Sequence, residues 1–498
     1  MIGLAILVAL MMGLTFAAKR WACRVPQRVV VRHVAVVPLI VLVLALLWLA
    51  PPRTASADPG TYYVSTNGSD SNLGTEAQPF RTINKGVSLL DPGDTLYIRE
   101  GIYHENVTIS AHGTADQPIT ISAYSNENPI IDGQYTLPPG SGQHWTPLVS
   151  VSGDHVVFRG FEIRNSTGIN LMVSGSNNQI QYLNVHHALE HGVFVTGDDN
   201  LVEHSKIWWN AANNEYGQSP YPWWGTGLSA ARRPSRTTLR ENEVYNNWGE
   251  GLSTFEAYDT TIEDNVVYDN WAVNVYISDI DTALVQRNLV YCTGDAHFTN
   301  APGIALCDEV ADPVSRDVTI INNLVLGCNR CFYFWLQGGD TGLKNSLIAH
   351  NTFVNSHNAA NFQIESGGHE NSRIENNIFV QEDDLPIAVV TNNPELHFSH
   401  NLWSKNPSTT VAGQGDVIAD PRLAQSGSTD PGLLDPDWFR LLSDSPAVDV
   451  GLTFSEVPDD FDGVPRPLGA GYDIGAYEYG ERMPPEYLSY VYLPVTRK

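Results

Sequence analysis

Asn242-Glu243-Val244-Tyr245, Asn265-Val266-Val267-Tyr268 and Asn288-Leu289-Val290-Tyr291 write one short pattern three times, 23 residues apart. Asn323-Leu324-Val325, Asn351-Thr352-Phe353-Val354, Asn377-Ile378-Phe379-Val380 and Asn401-Leu402-Trp403 continue it, and Phe161, Leu183 and Ser205 hold the same place in weaker copies upstream. Successive anchors lie 22, 22, 37, 23, 23, 35, 28, 26 and 24 residues apart, a period that fits one coil of a parallel β-helix. Between anchors, as in Thr261-Ile262-Glu263-Asp264-Asn265-Val266-Val267-Tyr268, apolar residues alternate or come in short β-branched runs, which suits strands and not helices. Gly, Asn and Asp break the runs, where a turn needs left-handed or side-chain-bonded backbone. Asparagines recurring at one point of the coil can stack on their copies above and below and bond turn backbone between coils. The expected fold is all-β, a right-handed single-stranded parallel β-helix of about ten or more coils.

An open stack of coils must cover its end strands. Thr82-Ile83-Asn84-Lys85-Gly86-Val87-Ser88-Leu89-Leu90 has helical spacing of apolar residues ahead of the coils, so an amphipathic helix is expected to cover the N-terminal end. Gly60-Thr61-Tyr62-Tyr63-Val64-Ser65, Asn67-Gly68-Ser69-Asp70, Pro79-Phe80-Arg81-Thr82-Ile83, Pro92-Gly93-Asp94-Thr95 and Gly101-Ile102-Tyr103 resemble the opening of secreted right-handed β-helix proteins, pectate-lyase-like enzymes among them. The resemblance covers the opening well and the coils more loosely, and it implies action on a carbohydrate. Asp430-Pro431-Gly432-Leu433, Leu442-Ser443-Asp444-Ser445-Pro446-Ala447-Val448-Asp449 and the run from Asp460 to Glu478 look like the segment that follows such helices in exported bacterial proteins, and are expected to close the C-terminal end. The chain thus divides into a cap and first coils at 58–125, the helix at 126–410, a capping segment at 411–480 and an exposed tail at 481–498.

The first 57 residues read as a signal sequence. Apolar runs Ile2 to Phe16 and Val34 to Ala50 flank Lys19, Arg20, Arg24, Arg28 and Arg32, and Ala55-Ser56-Ala57 supplies a cleavage site. Export to the medium or the cell surface is expected; the competing reading keeps the runs as a membrane anchor, for which they are short. Cleavage leaves 441 residues with a net charge of −33, because the removed part carries six basic residues and no acidic ones. Such a field repels nucleic acid and anionic lipid. The expected partner is a polysaccharide met by a monomer, with the membrane touched only through an uncleaved signal. Cys292, Cys307, Cys328 and Cys331 then suggest two disulfides or a buried inert group more than zinc, since only one pair has the CxxC spacing.

Function is sought where the repeat is interrupted. The intervals of 37 and 35 residues put loops between Ser205 and Asn242 and between Asn288 and Asn323, with two ordinary coils between them, so both loops are expected to wall one stretch of the helix. Aligning His191-Gly192-Val193, Thr226-Gly227-Leu228, Glu250-Gly251-Leu252, Val273-Asn274-Val275 and Pro302-Gly303-Ile304 stacks Gly197, Arg232, Glu256, Asp279 and Asp308 five residues on, with Arg233, Asp281 and Glu309 nearby. A column of both signs at strand spacing is costly unless paired, metal-bound or catalytic; the bland alternative is an exposed ladder of ion pairs. Arg232, Glu250, Glu256 and Asp279 are the candidate catalytic groups. Tyr221, Trp223, Trp224, Arg233, Trp248 and Trp271 are the candidate sugar-binding groups, because indole and phenol rings stack on the apolar faces of sugars. Trp208, Tyr245, Tyr268 and Tyr291 share one repeat position and read instead as a structural stack.

Polysaccharide lyase is the first functional expectation. Arg232, Arg233, Arg236 and Arg240 form a basic cluster suited to a uronate, and Glu256, Asp279 and Asp308 make calcium the candidate cofactor. The sequence lacks the compact aspartate cluster with a downstream lysine of calcium-dependent pectate lyases, and the Asp-Pro-His-Asp motif of mannuronan epimerases. A glycoside hydrolase pairing Glu250 with Glu256 or Asp279 is the second expectation. A non-catalytic glycan-binding or surface protein is the third.

Overall fold

The computed structural model describes residues 59–480 except 140–144, 299, 311–312, 337–340 and 454. The signal sequence and the tail expected at 481–498 lie outside the described residues. Each coil consists of three short strands, and each strand pairs in parallel with its counterpart one coil away. Val193–Val195, Leu201–Glu203 and Lys206–Trp208 form one coil; Thr226–Ala231, Thr238–Arg240 and Glu243–Tyr245 form the next. About 11 such turns build a β-solenoid with almost no helix. Its first two faces count as one 22-stranded sheet, because Glu250–Glu263 and Val275–Gln286 run unbroken around the corner between them; the third face is a 13-stranded sheet.

The anchors do what their spacing implied. Glu241, Asp264, Arg287, Asn322, His350, Asn376 and His400 turn the corner between the second and third faces in left-handed backbone, with φ between 51° and 57°. Each is followed by an anchor asparagine that offsets the cost of that conformation. Asn265 Nδ2 donates to Asn288 Oδ1 at 3.0 Å and to the carbonyl of Leu239 at 2.8 Å, while its own Oδ1 accepts the backbone N–H of Asn242 at 3.0 Å. The same bonds repeat from Asn242 to Asn401, where the backbone N–H of Asn401 passes to Asp416. A second ladder joins Asn170, Asn210, Asn247, Asn270 and Asn274 at the corner between the third and first faces. Between the ladders the interior is apolar: Leu171, Val193, Leu228, Leu252, Val275, Ile304, Phe332 and Phe362 share one inward row and none is exposed.

At the N-terminal end, Ile83–Val87 is a short helix whose Thr82 hydroxyl accepts the Lys85 N–H, and Ile83 and Val87 belong to the solenoid core. The C-terminal segment departs from expectation. Only its first part reaches the last coil, where Val417–Ile418 pairs with Leu402–Trp403 and Val411 enters the core. From Leu423 to Tyr477 it runs back along the outer side of the third face, burying Tyr268, Tyr291, Leu324, Val354 and Ile378 under Leu434, Trp438, Phe439, Ile474 and Tyr477. Those coil positions carry apolar side chains outward, and a second apolar layer is what keeps them from water. The cysteines also differ from two bridges: Cys292 and Cys328 are joined, and Cys307 and Cys331 are buried free thiols.

Candidate functional site

The expected alignment of coils is the observed register. Val193, Leu228, Leu252, Val275 and Ile304 are successive partners, so Arg232, Glu256, Asp279 and Asp308 do follow one another at one corner. Arg232, Glu256 and Asp279 occupy it in left-handed backbone, with φ of 68°, 50° and 51°. The column is therefore the bend between the first and second faces, and its side chains part company. Arg232 turns back over the first face, its guanidinium carbon 4.0 Å from the Trp145 ring and 5.9 Å from that of Phe194. Asp279 is buried and accepts from the Ser278 hydroxyl at 2.6 Å, from the Glu309 N–H at 3.0 Å and from the Val310 N–H at 2.8 Å, so it pins the loop after Asp308. Asp281 pairs with Arg316, Arg236 with Asp199 and Arg240 with Glu203, which removes two of the four arginines of the basic cluster.

This arrangement does not suit calcium. The ion takes six to eight oxygens. In the set Glu256, Asp279 and Asp308, the Asp279 oxygens are held by loop donors and Asp308 Oδ1 accepts the Ser315 N–H at 2.8 Å, leaving Oδ2 of Asp308 as the one buried oxygen of the pair without a partner. Among the described residues, no three His, Cys, Asp or Glu side chains gather where a metal could be held. The glycosidase pairing of Glu250 with Glu256 fails on length, since six residues of one strand span about 20 Å and the reaction needs carboxylates within roughly 10 Å.

The insertions do meet. Tyr216 and His297, one from each, have ring centres 5.3 Å apart, and both lie against Trp248 together with Phe298. Trp248 is consequently only 1% exposed and is a structural ring, not a sugar platform. Trp223 and Trp224 remain on the surface at 44% and 39% exposure; Trp223 stacks on Tyr221 at 5.4 Å, and Trp224 meets the edge of Trp271 at 5.3 Å. Trp224 borders the outer surface of the first face, and that surface is the candidate groove. On its floor Trp224 Nε1 donates to Glu250 Oε1 at 3.0 Å. Burial and the nearby charge of Glu309 push the Glu250 carboxyl up to about 7, against the pull of the Trp224 hydrogen bond.

Further groups of the groove were missed from sequence. Phe194, Ser229, Ser253, Tyr276, Ala305 and Tyr333 form one outward row. Ser253 donates to Ser229 at 2.9 Å, the Tyr276 hydroxyl donates to Glu309, and that of Tyr333 donates to Glu365 at 2.5 Å. Burial, with the Cys307 and Glu309 charges, drives the Tyr276 phenol far above its ordinary range, so it keeps its proton. The signal for these residues was their place two positions past the aligned glycines, where a strand turns its side chain outward. Trp145 was hidden for another reason: it precedes its coil, and stacks at 5.0 Å on His191, a buried neutral ring whose pKa burial and Arg232 lower to about 3.

Comparison with known proteins agrees with this scaffold. Residues 62–298 match the family model described as the Pel9A-like, right handed beta helix region. YwoF, an uncharacterized protein of Bacillus subtilis (strain 168), is 33% identical over 170 residues, 32% of this chain and 35% of that protein. Pectate lyase PEL9 of Emericella nidulans is 39% identical over 85 residues, 17% of this chain and 20% of that enzyme. The chain thus spans about a third or less of the length of these two relatives. The solved structure of pectate lyase Pel9A superposes with a TM-score of 0.54 at 18% identity, covering 86% of this chain and 98% of that one, a likeness of fold.

Proposed function

We propose that this chain, a right-handed β-helix with a Pel9A-like region over residues 62–298, is an exported polysaccharide lyase that cleaves an acidic glycan by β-elimination in the groove of its first face. Export, read from residues 1–57, is part of the proposal. The observation that carries it is Glu250, a carboxyl poised near neutrality on the groove floor beside Trp224, with the protonated Tyr276 one coil away. Ionised Glu250 takes the proton beside a uronate carboxylate. The electron pair closes the new carbon–carbon double bond, the bond to the leaving oxygen breaks, and that oxygen takes up, through water, the proton that Glu250 releases. Arg232, carried over the face on Trp145, supplies the positive charge that draws an acidic chain into the groove.

A hydrolase is a second reading, favoured by one observation: the Glu309 charge acts on Glu250, so two carboxylates face the same groove. Incubation with pectate, alginate and neutral glycans, with and without a chelator, separates the two. New ultraviolet-absorbing unsaturated ends support elimination; reducing ends without unsaturation support hydrolysis and sink the lyase.

A further inference from the structure

Arginines in this acidic chain commonly meet a carboxylate, as Arg99 meets Glu127, Arg236 meets Asp199 and Arg287 meets Asp264. Two that face the groove differ. Among the described residues neither Arg232 nor Arg330 enters an ion pair, and each sits over an aromatic ring instead. Arg232 lies over Trp145 at 4.0 Å, and Arg330 lies over Tyr333 at 4.4 Å. Arg330 is further fixed by neutral partners, donating from Nε to Gln363 Oε1 at 2.8 Å and from Nη1 to Asn329 Oδ1 at 3.2 Å. A guanidinium held over a ring and bonded to amides keeps its full charge and spare N–H groups, which is the state that a carboxylate recognises with two parallel hydrogen bonds.

Their places are regular. The Arg232 guanidinium extends over Phe194, and Phe194 and Tyr333 belong to the same outward row, five coil steps apart, so the two charges stand about 24 Å from each other. Glu250 and Tyr276 lie on the two middle coils of that span. We propose that Arg232 with Trp145 and Arg330 with Tyr333 are two carboxylate seats for one extended acidic glycan, one on each side of Glu250 and Tyr276. The inference rests on the groove being a glycan site and adds where the chain is gripped and how long it must be. The side chains of Glu250 and Glu309 between the seats are acidic, so the positive charge that grips an acidic chain comes from the two arginines at its ends. Trp335, stacked at 5.4 Å on Tyr276 and at 5.0 Å on Tyr333, continues the floor between the centre and the Arg330 seat. A neutral glycan gains nothing from either arginine. A short acidic fragment reaches only one, whereas a chain that spans both binds the second intramolecularly.

Titration calorimetry on the full chain tests this. The Glu250→Gln protein, used to slow turnover, is titrated with oligogalacturonates and oligoguluronates of increasing length and with neutral oligosaccharides of matched length. Affinity for acidic oligomers is expected to climb with length until both seats are spanned and then level off. Adding Arg330→Ala is expected to weaken the longest oligomers about tenfold or more, to change disaccharide binding little, and to abolish the climb. Arg330→Lys keeps the stem and charge but not the fork, and is expected to lose roughly threefold or more on the same oligomers; it carries the test if the alanine variant does not fold. Long acidic oligomers bound equally well after either substitution, or neutral oligomers bound as tightly as acidic ones, would overturn the proposal. The two readings fail separately: missing unsaturated ends with length-dependent binding intact sink elimination and leave the seats standing, while elimination without length dependence does the reverse.

Discussion

The indole of Trp224 donates to Glu250 across 3.0 Å, tying the wall of the groove to its floor. Trp224 belongs to the loop that lengthens one coil, and Glu250 opens the strand of the next coil, so the bond exists only because the insertion leaves the solenoid and folds back on it. It also sets a balance. Burial disfavours the carboxylate and the hydrogen bond favours it, with burial dominant.

Activity should follow that balance. Elimination needs ionised Glu250, so kcat/KM is expected to rise with pH through about 7, and Trp224→Phe, which removes the stabilising donor, should move that limb upward. Glu250→Gln should abolish turnover. A rate–pH profile for the three proteins checks this, and an unmoved limb in Trp224→Phe would sever Trp224 from the chemistry.

The same group leaves a mark on stability. An acid whose folded pKa stands near 7 against an ordinary 4.5 binds its proton more tightly when folded, so its stabilising effect is complete below about 4.5 and is lost as pH rises through 7. Glu250→Gln should therefore raise Tm at about pH 8 and leave it unchanged near pH 4. The gain is at most about 3 kcal/mol, and less because part of the side chain stays in water. Thermal melts at the two pH values decide it.

The solenoid was legible because one corner repeats. Seven left-handed residues each followed by asparagine give a pattern that survives the two insertions, since an insertion lengthens a turn without changing strand register. The charged column was legible as a register, but its chemistry was not. Whether Arg232 pairs with Glu256 or swings to Trp145 depends on a ring from an earlier coil, and Asp279 is claimed by loop amides that only the fold brings near. The C-terminal segment was misplaced because its apolar residues show that it must be buried, not on what. The outward Tyr268, Tyr291 and Leu324 were the signal that the third face needed a cover.

The ladder makes a quantitative claim. Asn265→Ala would strand the N–H of Asn242 and the carbonyl of Leu239, both buried, while Oδ1 of Asn288 keeps the backbone N–H of residue 265. At about 1–3 kcal/mol for each unsatisfied group, less any water admitted, a loss of roughly 2 kcal/mol or more is expected. Denaturant unfolding reads it, and a loss below about 1 kcal/mol would show that neighbouring coils relax to replace the bonds.

Thiol accessibility separates the cysteines. Cys307 and Cys331 are buried, and burial pushes both thiols up to about 12, so neither should react with a thiol reagent in the folded protein. Denaturation without reductant should release these two thiols among the described cysteines, and with reductant also Cys292 and Cys328. The bridge closes a loop with a sequence separation of 36, for which chain entropy gives about 4 kcal/mol as an upper figure. A marked fall in Tm on reduction is expected.

Arg466 and Glu478 lock the returning segment. Both side chains are fully buried; Arg466 Nη1 donates to Glu478 Oε1 at 2.6 Å, and Nη2 reaches Asn322 Oδ1 on the solenoid at 3.0 Å. Arg466→Ala would leave the Glu478 charge buried and unpaired, a cost of about 3–5 kcal/mol, whereas Arg466→Met with Glu478→Leu removes both charges and should recover much of it. Because the segment covers the third face and the groove lies on the first, Arg466→Ala should free the segment for limited proteolysis between Ala419 and Leu434 while glycan binding persists. If proteolysis and binding change together, the cover and the groove are one cooperative unit, and the third-face layer supports the site as well as the scaffold.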